Sequence, residues 1–360
     1  MAKQFLRTHD RIFASRPSTA AGKHTTYNYH DIAWAPYGPF WSQGRKIYLN
    51  ELFSSNRLGS SEYIRVEEIL VLGRKYFSES REEKEIVTLE EFQEMLDELF
   101  LLNGVLNVGD WIPWLRFMDI QGYVKRMKAL CKRFDRFHDH VLEEHRARMK
   151  AEGDGFVEKD MVDLLLKMAD DPNLEVKLDS DGVKGLTQDL VAGGTDTAAT
   201  TVEWAMSELI KQPHLMKKAS DELDKVIGRE RWVQETDFPN LTFIDSILKE
   251  TMRLHPVAVL LAPHLALEDC TVAGFDIAKG TTVFINSWSI RRDSDSWDDP
   301  LSFRPERTIL GNLLHGFSWN LPENMKIEDI DMEEVYGLST QRKFPLVVVS
   351  KPQLADHMYN

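Results

Sequence analysis

The chain has 360 residues, 42% of them hydrophobic and 28% charged, which is enough apolar content to bury a core and excludes a disordered chain. Its 58 acidic against 44 basic residues leave a formal charge of −14, excluding a body wrapped on nucleic acid but not local basic patches. Its two cysteines, Cys131 and Cys270, lie in unrelated contexts without C-x-x-C spacing, which excludes a disulfide framework and a thiolate zinc site and fits a reducing compartment.

Residues 1–11 alternate charged and apolar side chains without the apolar run of a signal peptide, and no segment approaches the ~20 apolar residues that span a bilayer. Apolar residues recur at helical spacing over Pro36–Phe53 and Leu89–Val105, the latter through Leu89, Phe92, Met95, Leu96, Leu99 and Phe100. Gln121–Lys150 sets Val124, Met127, Leu130, Phe134, Phe137 and Val141 on one stripe with charged residues opposite, which predicts a helix lying on a surface. Asp160–Asp170, Val183–Gln212, Pro213–Ile227 and Phe243–His255 continue the helical series. The second of these far exceeds the ~12-residue mean and has the length of a helix crossing the centre of a fold. After Pro256 the texture changes: Val257–Leu267, Thr271–Phe275 and Thr281–Ile285 are short, β-branched and parted by Gly274 and Gly280, and Lys343–Ser350 follows the Gly337 turn. They predict strands in small antiparallel pieces, so the fold class is α+β, mostly α, with its strands late in the chain. The acidic stretch Glu328–Glu334 reads as a solvated loop.

Three stretches point to chemistry. Ala192-Gly193-Gly194-Thr195-Asp196-Thr197 places two glycines in mid-helix, each costing about 1 kcal/mol relative to Ala. They admit either a tight helix crossing or a flat partner against the backbone, with an acid and a hydroxyl one turn on. In Lys249–Pro256, Glu250 and Arg253 are three apart on one helical face and can pair, within an apolar setting of Leu248, Met252 and Leu254. In Pro39–Lys46, Trp41 and Arg45 stand four apart and present an indole donor and a guanidinium on one side, a pair suited to a ligand carboxylate or to ordinary packing. His138, His140 and His145 share one helix, but the first and last lie about 10 Å apart along its axis, so they predict no common zinc. The absence of G-x-S-x-G, G-x-x-x-x-G-K and G-x-G-x-x-G leaves hydrolase, nucleotide-binding and dehydrogenase readings unsupported.

In chain order, Trp41 with Arg45, Ala192–Thr197, Glu250 with Arg253, and Phe303–Arg307 resemble a plant microsomal cytochrome P-450 of the class that oxidises secondary metabolites. The resemblance covers nearly the whole chain and implies a single domain over residues 1–360, with a long central helix and small antiparallel sheets. It implies a haem b, with Trp41 and Arg45 on one propionate and His264 of Ala262-Pro263-His264 on the other. Asp196 and Thr197 are the implied catalytic proton-relay residues, and Glu250, Arg253 and Arg307 the implied structural triad. The implied activity inserts an oxygen atom from O2 into a lipophilic small molecule. Electrons come from an NADPH-cytochrome P-450 reductase, on the cytosolic face of the endoplasmic reticulum membrane. Specificity is implied for Lys23–Ala33, Leu101–Val105, the long helix before Gly193, Val257–Leu261 and Gly337–Ser339.

Departures from the family pattern are equally specific. After Arg307 such proteins continue into F-x-x-G-x-R-x-C-x-G, whose Cys is the axial iron ligand. Here Arg307-Thr308 leads to Leu313-Leu314-His315-Gly316-Phe317, which resembles the helix beyond that loop, so no axial metal ligand is expected. Cys131 lies among Lys128, Lys132 and Arg133, Cys270 follows Glu268 and Asp269, whose charges raise a thiol pKa, and His315 reads as a packed histidine. The chain also begins at what resembles the second helix of the fold, without an anchor, and the join near Glu68-Ile69 skips most of a helical hairpin. The expectation is a cytosolic or peripheral chain on an incomplete and inactive monooxygenase scaffold. The rival class is a non-enzymatic helical fragment or degenerate product.

Overall fold

The computed structural model describes residues 1–54, 87–305, 317–323, 325–336 and 339–352. The α-helices are α1 (Ala20–Thr25), α2 (Pro39–Ile47), α3 (Leu89–Gly104), α4 (Val108–Trp111), α5 (Tyr123–Glu152), α6 (Met161–Ala169), α7 (Ser180–Lys211), α8 (Pro213–Val226), α9 (Thr242–Leu254) and α10 (Ser287–Ile290). The strands are β1 (His264–Leu265), β2 (Cys270–Val272), β3 (Phe275–Ile277), β4 (Thr282–Val283), β5 (Phe317–Asn320), β6 (Glu334–Tyr336), β7 (Thr340–Arg342) and β8 (Val349–Pro352). They form four two-stranded antiparallel sheets, β1–β4, β2–β3, β5–β8 and β6–β7. Mostly helical with small antiparallel sheets, the fold has the class expected from the sequence. Among the described residues no helix is long and apolar enough to cross a membrane.

Helix ends follow local chemistry. Pro39 opens α2, which passes into a π turn over Tyr48–Leu52 rather than running as one α-helix to Phe53. Thr88 Oγ1 accepts the Glu91 N–H at the start of α3, and Asp160 Oδ1 accepts the Val162 and Asp163 N–H groups at the start of α6. At the start of α9, Glu222 of α8 accepts the Phe243 and Ile244 N–H groups, supplying from a neighbour the cap that Leu241 cannot. On α5 the buried stripe is Met127, Leu130, Phe134, His138 and Leu142, so His138 and Leu142 lie inside while Phe137 and Val141 are half-buried at its edge.

The strand expectations need correction. Within Val257–Leu267 only His264–Leu265 forms a strand: Pro263 has no N–H, and the Val257 and Val259 carbonyls accept instead from Thr340 and Ser287. Thr271–Phe275 is not one strand but the end of β2, a two-residue turn and the start of β3, because Ala273 (φ 51°) and Gly274 (φ 85°) are both left-handed, as a two-residue hairpin requires. Of Lys343–Ser350 only the last two residues lie in β8.

The described residues fall into two compact units: 1–54, 87–195 and 260–285 in the first, and 196–259 with the described residues from 286 onward in the second. In the first, Leu164, Leu165 and Leu166 pack with Leu142, Ile47, Val183 and Leu186. In the second, Leu209, Leu223, Ile244 and Ile247 join helices α7, α8 and α9 around Ala205 and Ala219. Each buried Leu or Ile contributes roughly 1.5–3 kcal/mol. α7 lies against the chain at residues 30–31 because position 185 is glycine: a Cβ there would sit 1.8 Å from the His30 carbonyl oxygen. Since backbone cannot yield as a side-chain tip can, Gly185→Ala should destabilise the protein by about 1–3 kcal/mol in urea denaturation. Gly228→Ala, whose strain is conformational (φ 78°) and whose surroundings are open, is the comparison for backbone strain alone.

Candidate functional site

Gly193 and Gly194 are exposed, and a Cβ on either meets no described atom within 4 Å. Among the described residues, then, no tight helix crossing explains them, and a side chain at either position would point into open space. One turn on, Asp196 is buried and its Oδ1 accepts the Gln341 Nε2–H at 2.9 Å. Half-buried Thr197 offers its carbonyl to the Thr201 hydroxyl at 2.7 Å.

In the first unit, the expected propionate partners cluster about one short segment. Trp41 Nε1–H donates to Ile32 O at 3.2 Å, and the exposed Arg45 guanidinium lies 5.4 Å from the Trp41 ring centroid. Arg16, which no sequence motif singled out, donates through Nε to Ala33 O at 3.0 Å, and its Nη1 stands 3.2 Å from His264 Nδ1. That Nδ1 also lies 2.7 Å from Phe13 O. Burial, reinforced by the Arg16 charge, lowers the His264 pKa, so its ring is neutral near pH 7. Trp41 and Arg16 thus hold residues 32–33 directly, with Arg45 against Trp41 and His264 against Arg16.

Two carboxylates fix that segment. Asp189 of α7 accepts the N–H of Ile32 at 2.6 Å and that of Ala33, and buried Asp31 accepts those of Trp34 and Ala35. Four consecutive amides are therefore satisfied by two acids. Burial pushes the Asp189 carboxyl up to about 7, and burial together with the Asp189 charge pushes Asp31 well above the usual carboxylate range.

In the second unit, Glu250 and Arg253 form the pair expected from their spacing. Arg253 Nε donates to Glu250 Oε2 at 2.7 Å and Nη2 to Oε1 at 2.8 Å. Nη1 donates to Arg291 O (3.0 Å) and Pro300 O (2.8 Å), and Nη2 also to Ser302 O (2.8 Å). All five guanidinium N–H groups are engaged. Glu250 Oε1 accepts in addition the Arg304 N–H at 2.7 Å, and the guanidinium sits 4.9 Å from the Trp297 ring centroid. Arg307, the third member of the expected triad, lies outside the described residues, as do His315, Glu68-Ile69 and Gly337–Leu338.

His255, within the same motif but not singled out, is the centre of a second buried cluster. Its ring stacks on Trp204 at 4.0 Å, its Nε2 is 2.8 Å from Glu208 Oε1, and its Nδ1 is 3.4 Å from Glu334 Oε1. Burial opposes its charge, yet the two carboxylates outweigh burial and raise its pKa. Its partners lie at positions 208 and 334, far along the chain, so no local pattern could have signalled it.

Neither cysteine fits an axial haem ligand. Cys131 is half-buried in mid-α5, where burial, then Asp135 and Asp181, push its thiol up against the opposing charge of Lys184. Cys270 begins β2, paired with Ile277, and burial, then Glu268 and Asp269, push it up as well. Tested against the haem that the resemblance implies, the room at Gly193 and Gly194 fits a flat group, but the donor set lacks a low-pKa thiol in a loop of backbone donors. The three histidines of α5 are separate, as expected: His138 bonds Tyr27 Oη at 2.9 Å, with burial lowering its pKa to about 4, and His145 bonds Asp163 at 2.8 Å. His145, Asp160 and Asp163 lie close enough to hold a metal ion, but the Arg148 guanidinium already pairs with Asp163.

The cytochrome P-450 family profile matches residues 71–307. The chain is 40% identical to trimethyltridecatetraene synthase of Zea mays, over 99% of this chain and 80% of that one. It is 36% identical to flavonoid 3'-monooxygenase of Petunia hybrida, over 100% of this chain and 83% of that one. A zebrafish cytochrome P-450 solved with abiraterone shares the fold, with a TM-score of 0.75 at 24% identity over 98% of this chain and 91% of that one. The alignment to the first relative extends over 442 positions, so at least 82 of them have no counterpart among the 360 residues here.

Two measurements test the site chemistry. The native Asp189 carboxyl holds its proton to a higher pH than the unfolded value of 3.8, so its contribution to stability is full below about 4 and is lost as pH rises through about 7. Asp189→Asn, which keeps a neutral acceptor, should flatten the fall in urea stability over that window by up to about 1.4 kcal/mol per pH unit. An unchanged slope would count against a carboxyl raised by burial at position 189. Glu250→Gln should cost about 3–5 kcal/mol by leaving a buried guanidinium without its counter-charge, read as a lower denaturation midpoint at unchanged m-value.

Proposed function

Because the chain belongs to the cytochrome P-450 family of monooxygenases, we propose that it is the scaffold of a haem-thiolate monooxygenase that is itself inactive as an oxygenase. The carrying observation is the placement of both cysteines, one in the middle of a helix and one in a strand, each with a raised thiol pKa. Oxygen activation in this family draws on electron density from an axial thiolate. Passage from Arg307 to Leu313-Leu314-His315-Gly316-Phe317 without an F-x-x-G-x-R-x-C-x-G segment supports the same reading, as do the alignment positions that have no counterpart here.

The remaining family parts keep their expected assignments in this reading. The chain forms one domain in which Arg45 and Arg16 supply cations, and Trp41 and His264 N–H donors, for the acidic edge of haem b. Gly193 and Gly194 leave room for its plane, Asp196 and Thr197 are the acid and hydroxyl that handle protons, and Glu250, Arg253 and Arg307 are the structural triad. The full-length parent would take a lipophilic small molecule. Relatives named for a tetraene and for flavonoids agree in that property alone. It would draw electrons from an NADPH-cytochrome P-450 reductase on the cytosolic face of the endoplasmic reticulum.

The test is spectroscopic: the chain is expressed, supplied with haem, reduced and exposed to carbon monoxide. No Soret band, or one of neutral-histidine type, is expected. A thiolate-type band together with NADPH-driven turnover would overturn the proposal.

A further inference from the structure

Three lysines of the first unit stand out in a chain of net charge −14. Lys23 of α1 and Lys125 and Lys128 of α5 are exposed, and none has an ion-pair partner among the described residues. All three line one cavity of about 470 Å³, together with Arg116 and His24. The lining thus holds four permanent cations and an imidazole against a single carboxylate, Asp119. That carboxylate is already engaged, accepting the Val124 N–H at 3.0 Å and the Lys125 N–H at 2.9 Å as it caps α5. Convergent like charges repel one another and are disfavoured unless something of opposite sign offsets them. The His24 pKa registers this field: burial, then Lys128 and Lys23, lower it. The walls include the half-buried ring of Tyr29 and that of Phe117, which is 84% exposed.

We propose that this cavity binds a small phosphate monoester with an apolar body, its phosphate held by Lys23, Lys125, Lys128 and Arg116 and its body against Tyr29 and Phe117. A phosphate monoester carries about −1.5 to −2 charges at pH 7, which offsets a surplus of cations that a single carboxylate ligand would leave in excess. Three lysines suit a phosphate reached as a point charge from several sides, and Arg116 adds a forked donor. The volume lies within the range of roughly 300–1,000 Å³ typical of small-molecule sites. No part of this argument depends on haem.

Calorimetric titration of the full chain with phenyl phosphate tests it, with inorganic phosphate and phenol as head-only and body-only probes. Vesicles of phosphatidylcholine containing phosphatidylserine supply the same head chemistry from a lipid surface. Saturable one-site binding of phenyl phosphate, tighter than either half-probe and weakened by salt, is expected. The pair Lys23→Glu and Lys128→Glu should weaken it at least tenfold, whereas Lys150→Glu, the same charge change elsewhere on α5, should leave it within twofold. Lys125→Gln, which removes a charge without reversing it, should weaken it about threefold and stands in for the pair if the pair loses helicity by circular dichroism. Absence of saturable binding by the wild-type chain, equal loss with Lys150→Glu, or binding to vesicles alone would overturn the proposal.

Discussion

A buried guanidinium cannot shed its proton, so whatever surrounds Arg253 must supply five acceptors at fixed directions. That requirement organises the second unit. Glu250 answers two of the five N–H groups from the same helix, and the carbonyls of Arg291, Pro300 and Ser302 answer the rest. The irregular chain from α10 to Phe303 therefore takes its course from the need to bring three carbonyl oxygens to one cation. The end of α9 receives reciprocal treatment: Arg291 and Arg292 donate to the Met252 and Leu254 carbonyls that the helix leaves unpaired. Among the described residues, all five Arg253 donors are met by the Glu250 carboxylate and three backbone carbonyls.

Helices were legible where their pattern is local. Three- and four-residue apolar spacing located α3, α5, α7, α8 and α9 to within a few residues, and the last three of these supply most of the second unit's core. Strands after Pro256 were less so, because a two-residue strand leaves no period to count, and left-handed Ala273 turns an apparent run into a hairpin. The motif residues proved easier to name than their surroundings. Glu250 and Arg253 pair as their spacing required, whereas Arg16, Asp31, Asp189 and His255 act with partners 17 to 248 positions away or through backbone amides. No spacing rule reaches that far.

Gly185 and the pair Gly193–Gly194 show how one residue type answers opposite demands within a single helix. At 185 the absent side chain lets backbone approach backbone. At 193 and 194 it leaves the helix surface bare, next to buried Ala192 and Asp196. Sequence composition alone treats these positions alike, and only the neighbouring chain distinguishes a packing glycine from one that keeps space open.

The carboxylate clamp on residues 32–35 has an evolutionary corollary. Ile32, Ala33, Trp34 and Ala35 are held through their amides, by acids that lie at positions 31 and 189. The shape of the segment is therefore written mostly outside it, and its own side chains are released from specifying a conformation. Substitutions there can alter what the segment touches without altering the path it follows, so recognition can drift on this stretch while its backbone stays fixed. A change at either aspartate has the reverse character, unmooring two amides at once whatever side chains they carry.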